Sequence, residues 1–203
     1  MLVDVATRAG AGRSRGSQHD PIATGEREEP HVGAASTKTG AERPASSPQR
    51  SDHPLKAMLV GSSGGHLMQL CNLKPWWEKH DRLWVTFDTA DSHHRLGGER
   101  VVWAHHPTTR NVPNLMRNLR LAWRLFRAYH PDVVVSTGAG VAFPFFLMAR
   151  LFGAKTVYVE VYDRIDVPTL TGKLCYPISD LFLLQWDEQR RLYPKGRVIG
   201  RLL

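Results

Sequence analysis

Two short apolar runs in this chain each lead directly into a glycine-rich loop and then into a segment with helical character. The first run, residues 55–60, is followed by Gly61-Ser62-Ser63-Gly64-Gly65-His66, and the second, residues 132–136, by Thr137-Gly138-Ala139-Gly140. Glycine lets the backbone turn tightly and approach a bound group, and the free N–H groups that open a helix favour an anion such as phosphate. The repeated order of strand, loop and helix therefore predicts two loops that border one cleft.

Further apolar runs alternate with helical patterns over the rest of residues 55–203, and several are continuously apolar, as in strands buried on both faces of a parallel sheet. Strands are predicted at 55–60, 83–87, 101–103, 133–136, 156–161 and 181–185, and helices at 66–79, 114–129, 141–152, 172–178 and 188–193. This alternation is typical of an α/β fold with a Rossmann-like, doubly wound parallel sheet. Ligands of such folds bind outside the carboxyl ends of the strands, where both glycine loops lie.

Residues 1–54 differ in composition from the rest, because they contain no Phe, Trp or Tyr and are rich in small and polar residues. Such a segment buries too little apolar surface to offset its ordering entropy, so we predict a disordered N-terminal tail at 1–54 and one domain at 55–203. The tail has seven basic and seven acidic residues, so the formal net charge of +8 belongs to the domain.

Several classes of protein fit this sequence poorly. The first glycine loop lacks the dinucleotide fingerprint, because Ser63 and His66 stand where that motif needs glycine, and it lacks the Gly-Lys-Ser/Thr of a P-loop. Cys71 and Cys175 are the only cysteines, which fits a reducing cytoplasm better than a disulfide scaffold. The longest apolar stretch, residues 141–148, is too short to span a bilayer, so we expect any membrane association to be peripheral.

The segment 101–131 contains five arginines and no acidic residue. Arg117, Arg120, Arg124 and Arg127 follow the three-four spacing of one helical face, beside an apolar face. The pattern fits either a solvated cationic face over a packed one or a patch for anionic lipid headgroups. Nucleic acid is not favoured, because no recognisable nucleic-acid module accompanies the arginines.

Two groups of polar residues invite a functional interpretation. His93-His94 and His105-His106 suggest a metal, but adjacent strand residues point to opposite faces and no third ligand is evident, so we interpret both pairs as loop or edge residues and predict no metal site. Glu160, Asp163 and Arg164 follow a strand at its carboxyl end, where a carboxylate can accept sugar hydroxyls or act as a general base. An ion pair between Asp163 and Arg164, or a loop brace, is the alternative. The following residues 167–173 form a loop that leads into a helix whose start could also face the ligand.

Four blocks of the sequence resemble a known family: residues 61–67, 131–140, 158–164 and the closing Gly200-Arg201. They are similar to the acceptor-side, membrane-recruiting subunit of bipartite UDP-sugar glycosyltransferases. This group includes the membrane subunit of the UDP-N-acetylglucosamine transferase of asparagine-linked glycosylation and bacterial PssD-like polysaccharide biosynthesis proteins. More distantly, the blocks resemble the N-terminal half of MurG, and the resemblance covers nearly all of residues 55–203.

The resemblance implies the N-terminal, acceptor half of a GT-B glycosyltransferase that inverts the anomeric centre. The acceptor would be a polyprenyl-diphosphate-linked sugar, and no tightly bound cofactor or metal is expected. In single-chain relatives a second Rossmann-like domain binds the nucleotide sugar. We therefore expect the UDP-sugar donor to be bound mainly by a separate partner subunit, and this chain to be inactive without that subunit.

The resemblance also implies the residues of the site. His66 is the candidate general base, because removing a proton from the acceptor hydroxyl needs a group with a pKa near neutrality; a ligand of the diphosphate is its alternative role. Glu160 would hold or activate the acceptor as a second catalytic residue. The residues expected to face the acceptor or its diphosphate are Ser63, Gly64, Gly65, Thr137, Gly138, Ala139, Gly140, Asp163 and Arg164.

Eukaryotic members of the family carry an N-terminal membrane helix, where this sequence has a polar segment. We therefore expect peripheral recruitment to the cytoplasmic face of a membrane through the arginine helix and apolar surface around Phe143, Phe145 and Phe146. Two alternatives stay open. One is a non-catalytic scaffold that activates a partner transferase, and the other is a self-contained nucleotide-binding enzyme.

Overall fold

A computed structural model describes residues 53–202, and within them the chain forms a single all-parallel sheet. Its strands are β1 (Lys56–Val60), β2 (Asp81–Phe87), β3 (Val101–Ala104), β4 (Val133–Ser136), β5 (Lys155–Val159), β6 (Leu181–Leu184) and β7 (Arg197–Val198). The spatial order is β3-β2-β1-β4-β5-β6-β7, so the chain extends the sheet to one side of β1 and then to the other. This order confirms the predicted Rossmann-like fold. The predicted disordered tail lies outside the described residues, apart from His53 and Pro54.

Six α-helices connect the described strands. They are α1 (Gly65–Cys71), α2 (Lys74–Trp77), α3 (Ala90–Arg95), α4 (Val112–Tyr129), α5 (Ala142–Phe152) and α6 (Leu170–Cys175), with 3₁₀ turns at Tyr176–Ile178 and Asp187–Arg191. The helix predicted at 66–79 is instead two helices, because Pro75 has no N–H and disfavours a helical residue before it. Among the described helices, none combines the length and the apolar character that a bilayer crossing requires.

Helix α3 and strand β7 were not predicted from the sequence. Helix α3 begins after Thr89, whose side-chain oxygen accepts the N–H of Ser92 at 3.3 Å and so caps the first turn. His93 and His94 lie on this helix, so their interpretation as loop or edge residues is wrong. His93 Nε2 lies 2.7 Å from Asp88 Oδ1, which accounts for that imidazole without a metal.

Apolar side chains cover both faces of the sheet. On one face α4 and α5 pack against the strands, and on the other α1 and α2 do so. Phe145 and Phe146 of α5 are fully buried, so the expectation that they form apolar surface is wrong for these two residues. Phe143 is only half-buried. The same helix exposes Leu147 and Leu151 instead.

Helix α4 is anchored by asparagines as well as by apolar side chains. Asn118 accepts the backbone N–H of His105 through Oδ1 and donates through Nδ2 to the His105 carbonyl, both at 2.9 Å. Asn114 Nδ2 donates to the carbonyl of Pro107 at 2.9 Å. These bonds hold the loop after β3 against the helix. The opposite side of α4 exposes the arginines predicted to form its basic face, Arg117, Arg120, Arg124 and Arg127.

Candidate functional site

The two glycine loops meet because β1 and β4 are neighbours in the sheet, with Val60 paired to Ser136 at their carboxyl ends. Two hydrogen bonds join the loops directly. His66 Nδ1 lies 2.8 Å from the carbonyl oxygen of Thr137, and Thr137 Oγ1 donates to the carbonyl oxygen of His66 at 2.8 Å. This is the point where the strand order reverses, which is the usual ligand site of such sheets.

The Thr137 carbonyl determines the tautomer of His66. A carbonyl oxygen can only accept a hydrogen bond, so Nδ1 carries the proton and Nε2 keeps its lone pair. Burial lowers the pKa of His66, while the Thr137 carbonyl and the charge of Asp163 oppose that shift in part. The imidazole is therefore neutral at pH 7, and Nε2 can accept a proton.

One cleft of about 1040 Å³ contains His66 in its wall. It combines a polar part with an apolar part, and its lining residues, all from the described part of the chain, include no Asp or Glu. The polar lining residues are Ser62, His66, His106, Thr108, Thr109, Arg110, Asn111, Arg164, Thr169 and Thr171. The other lining residues are Phe87, Pro107, Val112, Leu115, Ala139, Gly140, Phe143, Leu170 and Leu174. Both glycine loops contribute, which confirms that they border one cleft.

Of the residues predicted to touch the acceptor, the structure brings His66, Ala139, Gly140 and Arg164 to the lining of this cleft. The other predicted residues lie beside the cleft rather than in its lining: Ser63, Gly64, Gly65, Thr137, Gly138, Glu160 and Asp163. Asp163 and Arg164 are exposed, and no ion pair joins them in the described structure.

The amide of Gly64 has a protein partner. Its N–H donates to Asp91 Oδ2 at 3.0 Å, and Asp91 in turn accepts from Arg95 Nε at 2.7 Å. Gly64 itself has a φ of 75°, which glycine adopts without strain. The carboxylate beside this loop occupies the position that an anion at the start of α1 would need.

The second glycine loop is shaped by close approaches. Gly138 has a φ of 107°, and a Cβ there would lie 2.7 Å from the Tyr158 hydroxyl and 3.3 Å from His66 Cε1. A Cβ on Gly140 would lie 2.9 Å from Thr108 Oγ1 and 3.2 Å from the Thr108 carbonyl oxygen. Gly138 therefore lets the loop approach His66, and Gly140 lets the loop after β3 pack against it.

Glu160 does not open on the cleft, which corrects the prediction that it contacts the acceptor. Its side chain is fully buried, and Oε1 accepts the N–H of Val161 at 3.1 Å. The other oxygen, Oε2, lies close to Gly172 of α6. The buried hydroxyl of Tyr193 and Thr169 Oγ1 lie close to the same glycine. Burial raises the pKa of Glu160, so the carboxyl is held toward its neutral form behind the cleft wall.

Two further segments line the cleft: residues 106–112, which the sequence reasoning missed, and residues 169–174, which overlap the loop and helix start at 167–173 that were expected to face a ligand. Each precedes or opens a helix, and each contains an N-cap. Asn111 Oδ1 accepts the N–H of Asn114 at 2.9 Å, and Thr169 Oγ1 accepts that of Gly172 at 2.9 Å. An N-cap residue eight residues after the end of a predicted strand was the available signal, because it marks the end of a polar loop that starts at the carboxyl edge of the sheet.

Within residues 53–202, no cluster of three or more His, Cys, Asp or Glu side chains has the arrangement of a metal site. His106 lines the cleft, and its ring lies 5.2 Å from that of Phe87. The chemistry available in the cleft is therefore that of the neutral imidazole of His66, the imidazole of His106, two guanidinium groups, several hydroxyls and an apolar wall.

Comparison with known proteins agrees with the motifs. Residues 103–202 match the family model described as oligosaccharide biosynthesis protein Alg14 like. The human UDP-N-acetylglucosamine transferase subunit ALG14 is 30% identical over 116 residues, which cover 54% of this chain and 53% of the human protein. The mouse protein of the same name is 25% identical over 183 residues, which cover 73% of this chain and 83% of the mouse protein. The alignment with the human relative thus spans about half of that protein.

Solved structures share the fold. MurG of Acinetobacter baumannii superposes with a TM-score of 0.61 at 17% identity, over 72% of this chain and 45% of MurG. UDP-N-acetylglucosamine 2-epimerase of Rickettsia bellii superposes with a TM-score of 0.60 at 15% identity, over 74% of this chain and 46% of the epimerase. These likenesses establish the Rossmann-like unit of a GT-B fold. The family match is separate from this likeness of fold: residues 103–202 are similar to the Alg14-like oligosaccharide biosynthesis proteins.

Proposed function

We propose that this chain is the acceptor-binding subunit of a two-chain glycosyltransferase. The complex transfers a sugar from a UDP-sugar to a polyprenyl-diphosphate-linked sugar, and a separate subunit binds the UDP-sugar. The named relatives are subunits of a UDP-N-acetylglucosamine transferase, so UDP-N-acetylglucosamine is the donor to test first. That these relatives are named as subunits supports the need for a second subunit.

The observation that carries this proposal is the cleft around His66. An acceptor of this class has a sugar hydroxyl, a charged diphosphate and a long apolar chain. The cleft offers a basic nitrogen, cationic and hydroxyl groups without a carboxylate, and an apolar wall that includes Leu115, Leu170 and Leu174. A dinucleotide would need a different first loop, because the glycine fingerprint is absent there.

His66 acts as the general base in this proposal. Its Nε2 takes the proton of the acceptor hydroxyl while that oxygen attacks the anomeric carbon of the donor, and the bond to UDP breaks with its electron pair on the departing diphosphate. Attack opposite the leaving group inverts the anomeric centre. The Thr137 carbonyl keeps Nδ1 protonated and stabilises the imidazolium that forms. Glu160 is buried outside the cleft lining and does not touch the acceptor.

We also propose peripheral binding to an anionic membrane surface on the cytoplasmic side. Helix α4 exposes its arginines together with Met116 and Trp123, and the neighbouring α5 exposes Leu147 and Leu151. Cations beside exposed apolar side chains suit the interface of an anionic leaflet. Leu115 of α4 lines the cleft, so this helix would bring the cleft close to the acceptor's lipid.

The transfer assay that tests the function measures sugar incorporation into a polyprenyl-diphosphate-linked sugar. This chain, a candidate donor-binding glycosyltransferase subunit from the same organism, and the mixture of the two are each given UDP-N-acetylglucosamine. We expect transfer only in the mixture. His66→Asn keeps a donor for the Thr137 carbonyl but has no basic nitrogen, so the rate falls about 10²- to 10⁴-fold.

His94→Ala is the matched control, because His94 is an exposed imidazole on α3 away from the cleft lining. Full activity of the donor-binding subunit alone would refute the proposal that this chain binds the acceptor. Full activity of the His66→Asn mixture would refute the general base and favour the scaffold alternative. Activity of this chain alone would favour a self-contained enzyme.

The membrane proposal is tested by sedimentation with vesicles of phosphatidylcholine, with and without phosphatidylglycerol. Each cation contributes about 1 kcal/mol near an anionic leaflet, so the double variant Arg120→Ala/Arg127→Ala loses about tenfold or more in affinity for the anionic vesicles. The double variant Arg190→Ala/Arg191→Ala makes the same change of charge elsewhere and serves as the control. If both double variants lost the same affinity for the anionic vesicles, binding would depend on net charge and not on the arginines of α4.

A further inference from the structure

The loop after β3 forms a fixed wall of the cleft. Residues 106–112 all contribute to the lining, and the bonds from Asn114 and Asn118 hold this loop on α4. On its other side, Thr108 packs against Gly140 so closely that a Cβ on that glycine would lie 3.0 Å from Thr108 Cβ. The wall therefore has a defined position relative to the second glycine loop and His66.

Arg110 projects from this wall. Its backbone has a φ of 50°, in the left-handed region that residues with a Cβ rarely adopt. Such strain is maintained only where the surrounding structure requires it, and it is concentrated at functional sites. The side chain lines the cleft, and Arg110 is exposed.

Arg164 lies in the lining on the far side of His66. The strand order along the edge of the sheet is β3-β2-β1-β4-β5, so Arg110, in the loop after β3, and Arg164, after β5, lie on opposite sides of His66, after β1. The two arginines therefore flank the general base. Neither guanidinium forms an ion pair within residues 53–202, and no lining residue is acidic.

From this placement we infer that Arg110 and Arg164 bind the diphosphate of the acceptor between them, and that Arg110 is a binding residue of the site. The inference rests on the proposed function and specifies how the acceptor is held. Two guanidinium groups match the two charges of a diphosphate diester, and Thr108, Thr109 and Thr171 offer hydroxyl donors in the same cleft. The first glycine loop is the poorer anion site, because its Gly64 amide already donates to Asp91.

Binding by the full-length chain alone tests the inference, with farnesyl diphosphate as the probe for a lipid diphosphate and UDP as the probe for a nucleotide diphosphate. We expect the wild type to bind farnesyl diphosphate more tightly than UDP. Arg110→Ala and Arg164→Ala each weaken farnesyl diphosphate binding at least tenfold. Arg110→Lys recovers part of the loss, since it restores the charge without the planar fork. Arg150→Ala, an exposed arginine of α5 outside the lining, is the control and binds like the wild type.

Arg110→Gly separates binding from folding. Glycine adopts the left-handed region without strain, so this variant melts at a higher temperature than the wild type while it loses the probe as Arg110→Ala does. Equal affinities of the Arg110, Arg164 and Arg150 variants, or no binding of farnesyl diphosphate by the wild type, would overturn the inference. If the Arg110 and Arg164 variants lost UDP binding more than farnesyl diphosphate binding, the assignment of these arginines to the acceptor diphosphate would be overturned. The transfer assay tests the proposed function separately. If farnesyl diphosphate binding depended on the two arginines but no sugar were transferred, the proposed function would be refuted and the binding inference would not.

Discussion

Replacing Gly172 with alanine places a methyl group where three polar side chains converge. The new Cβ would contact the Tyr193 hydroxyl, and it would lie 2.5 Å from Glu160 Oε2 and 2.9 Å from Thr169 Oγ1. Tyr193 and Glu160 are buried, at 2% and 0% exposure, so neither can move into solvent. The substitution therefore tests whether this cluster is packed as tightly as the structure indicates.

The cost follows from two opposing contributions. Overpacking a well-packed interior by one methyl group costs about 1–3 kcal/mol. Alanine in place of a helical glycine contributes up to about 1 kcal/mol in the other direction, and less in a first turn. We expect a net loss of about 1–2 kcal/mol in the free energy of unfolding. In a domain of roughly 150 residues this lowers the melting temperature by about 2–8 °C.

Thermal unfolding followed by circular dichroism measures this loss, with Gly65→Ala as the control. Gly65 also lies in the first turn of a helix, but a Cβ there would meet no atom within 4 Å. We expect Gly65→Ala to melt within about 2 °C of the wild type or slightly above it. A Gly172→Ala protein as stable as Gly65→Ala would refute the packing described around Glu160.

Three further predictions concern titration and anchoring. Burial raises the pKa of Glu160, so the stability that its neutral form contributes is complete below about pH 4.5 and is lost as the pH rises through the raised pKa. Glu160→Gln cannot ionise and does not show this loss. The urea midpoint of the variant therefore rises relative to that of the wild type between about pH 4.5 and pH 7. Burial lowers the pKa of His66 below its ordinary value of 6.5, so the imidazole stays in its basic form at pH values somewhat below 6.5. The transfer rate of the mixed subunits therefore falls only at more acidic pH, and the rate of the His66→Asn mixture does not show this fall. Asn118→Ala leaves the N–H and the carbonyl of His105 without their partners and costs about 2–4 kcal/mol in urea unfolding, whereas Arg120→Ala on the exposed face of α4 changes stability by less than about 0.5 kcal/mol.

Local patterns were sufficient to predict the centre of the fold. Strands β1 and β4 are short, mostly apolar and followed by glycine-rich loops, which are features within a few residues of one another. The strand order then follows from the rules for parallel sheets, and it brings His66 and Gly140 to one cleft. The prediction of His66 as a cleft residue therefore needed no tertiary information beyond the fold class.

The walls of the cleft could not be predicted in the same way. Arg110 reaches the cleft because Asn118 and Asn114, on the following helix, bind the backbone of the loop before it. Glu160 turns inward because Gly172 leaves space for its carboxyl beside Tyr193, more than thirty residues later in the chain. Each outcome depends on contacts between distant residues, whereas a strand pattern indicates only that a polar residue lies at the carboxyl edge. Helix α3 was missed for a simpler reason, since six residues are too few to establish a helical period.

The all-parallel sheet also bears on how the molecule folds. Parallel neighbours cannot be joined by a hairpin, so each strand pair forms only after a crossover is closed, and the central pair joins Ala57 to Val133. Such long-range pairing raises the contact order and places folding on a timescale of milliseconds to seconds rather than microseconds. During synthesis, His66 leaves the ribosome well before the Thr137 carbonyl that orients it. The proton-accepting nitrogen of the cleft is therefore defined only once the two halves of the sheet have joined.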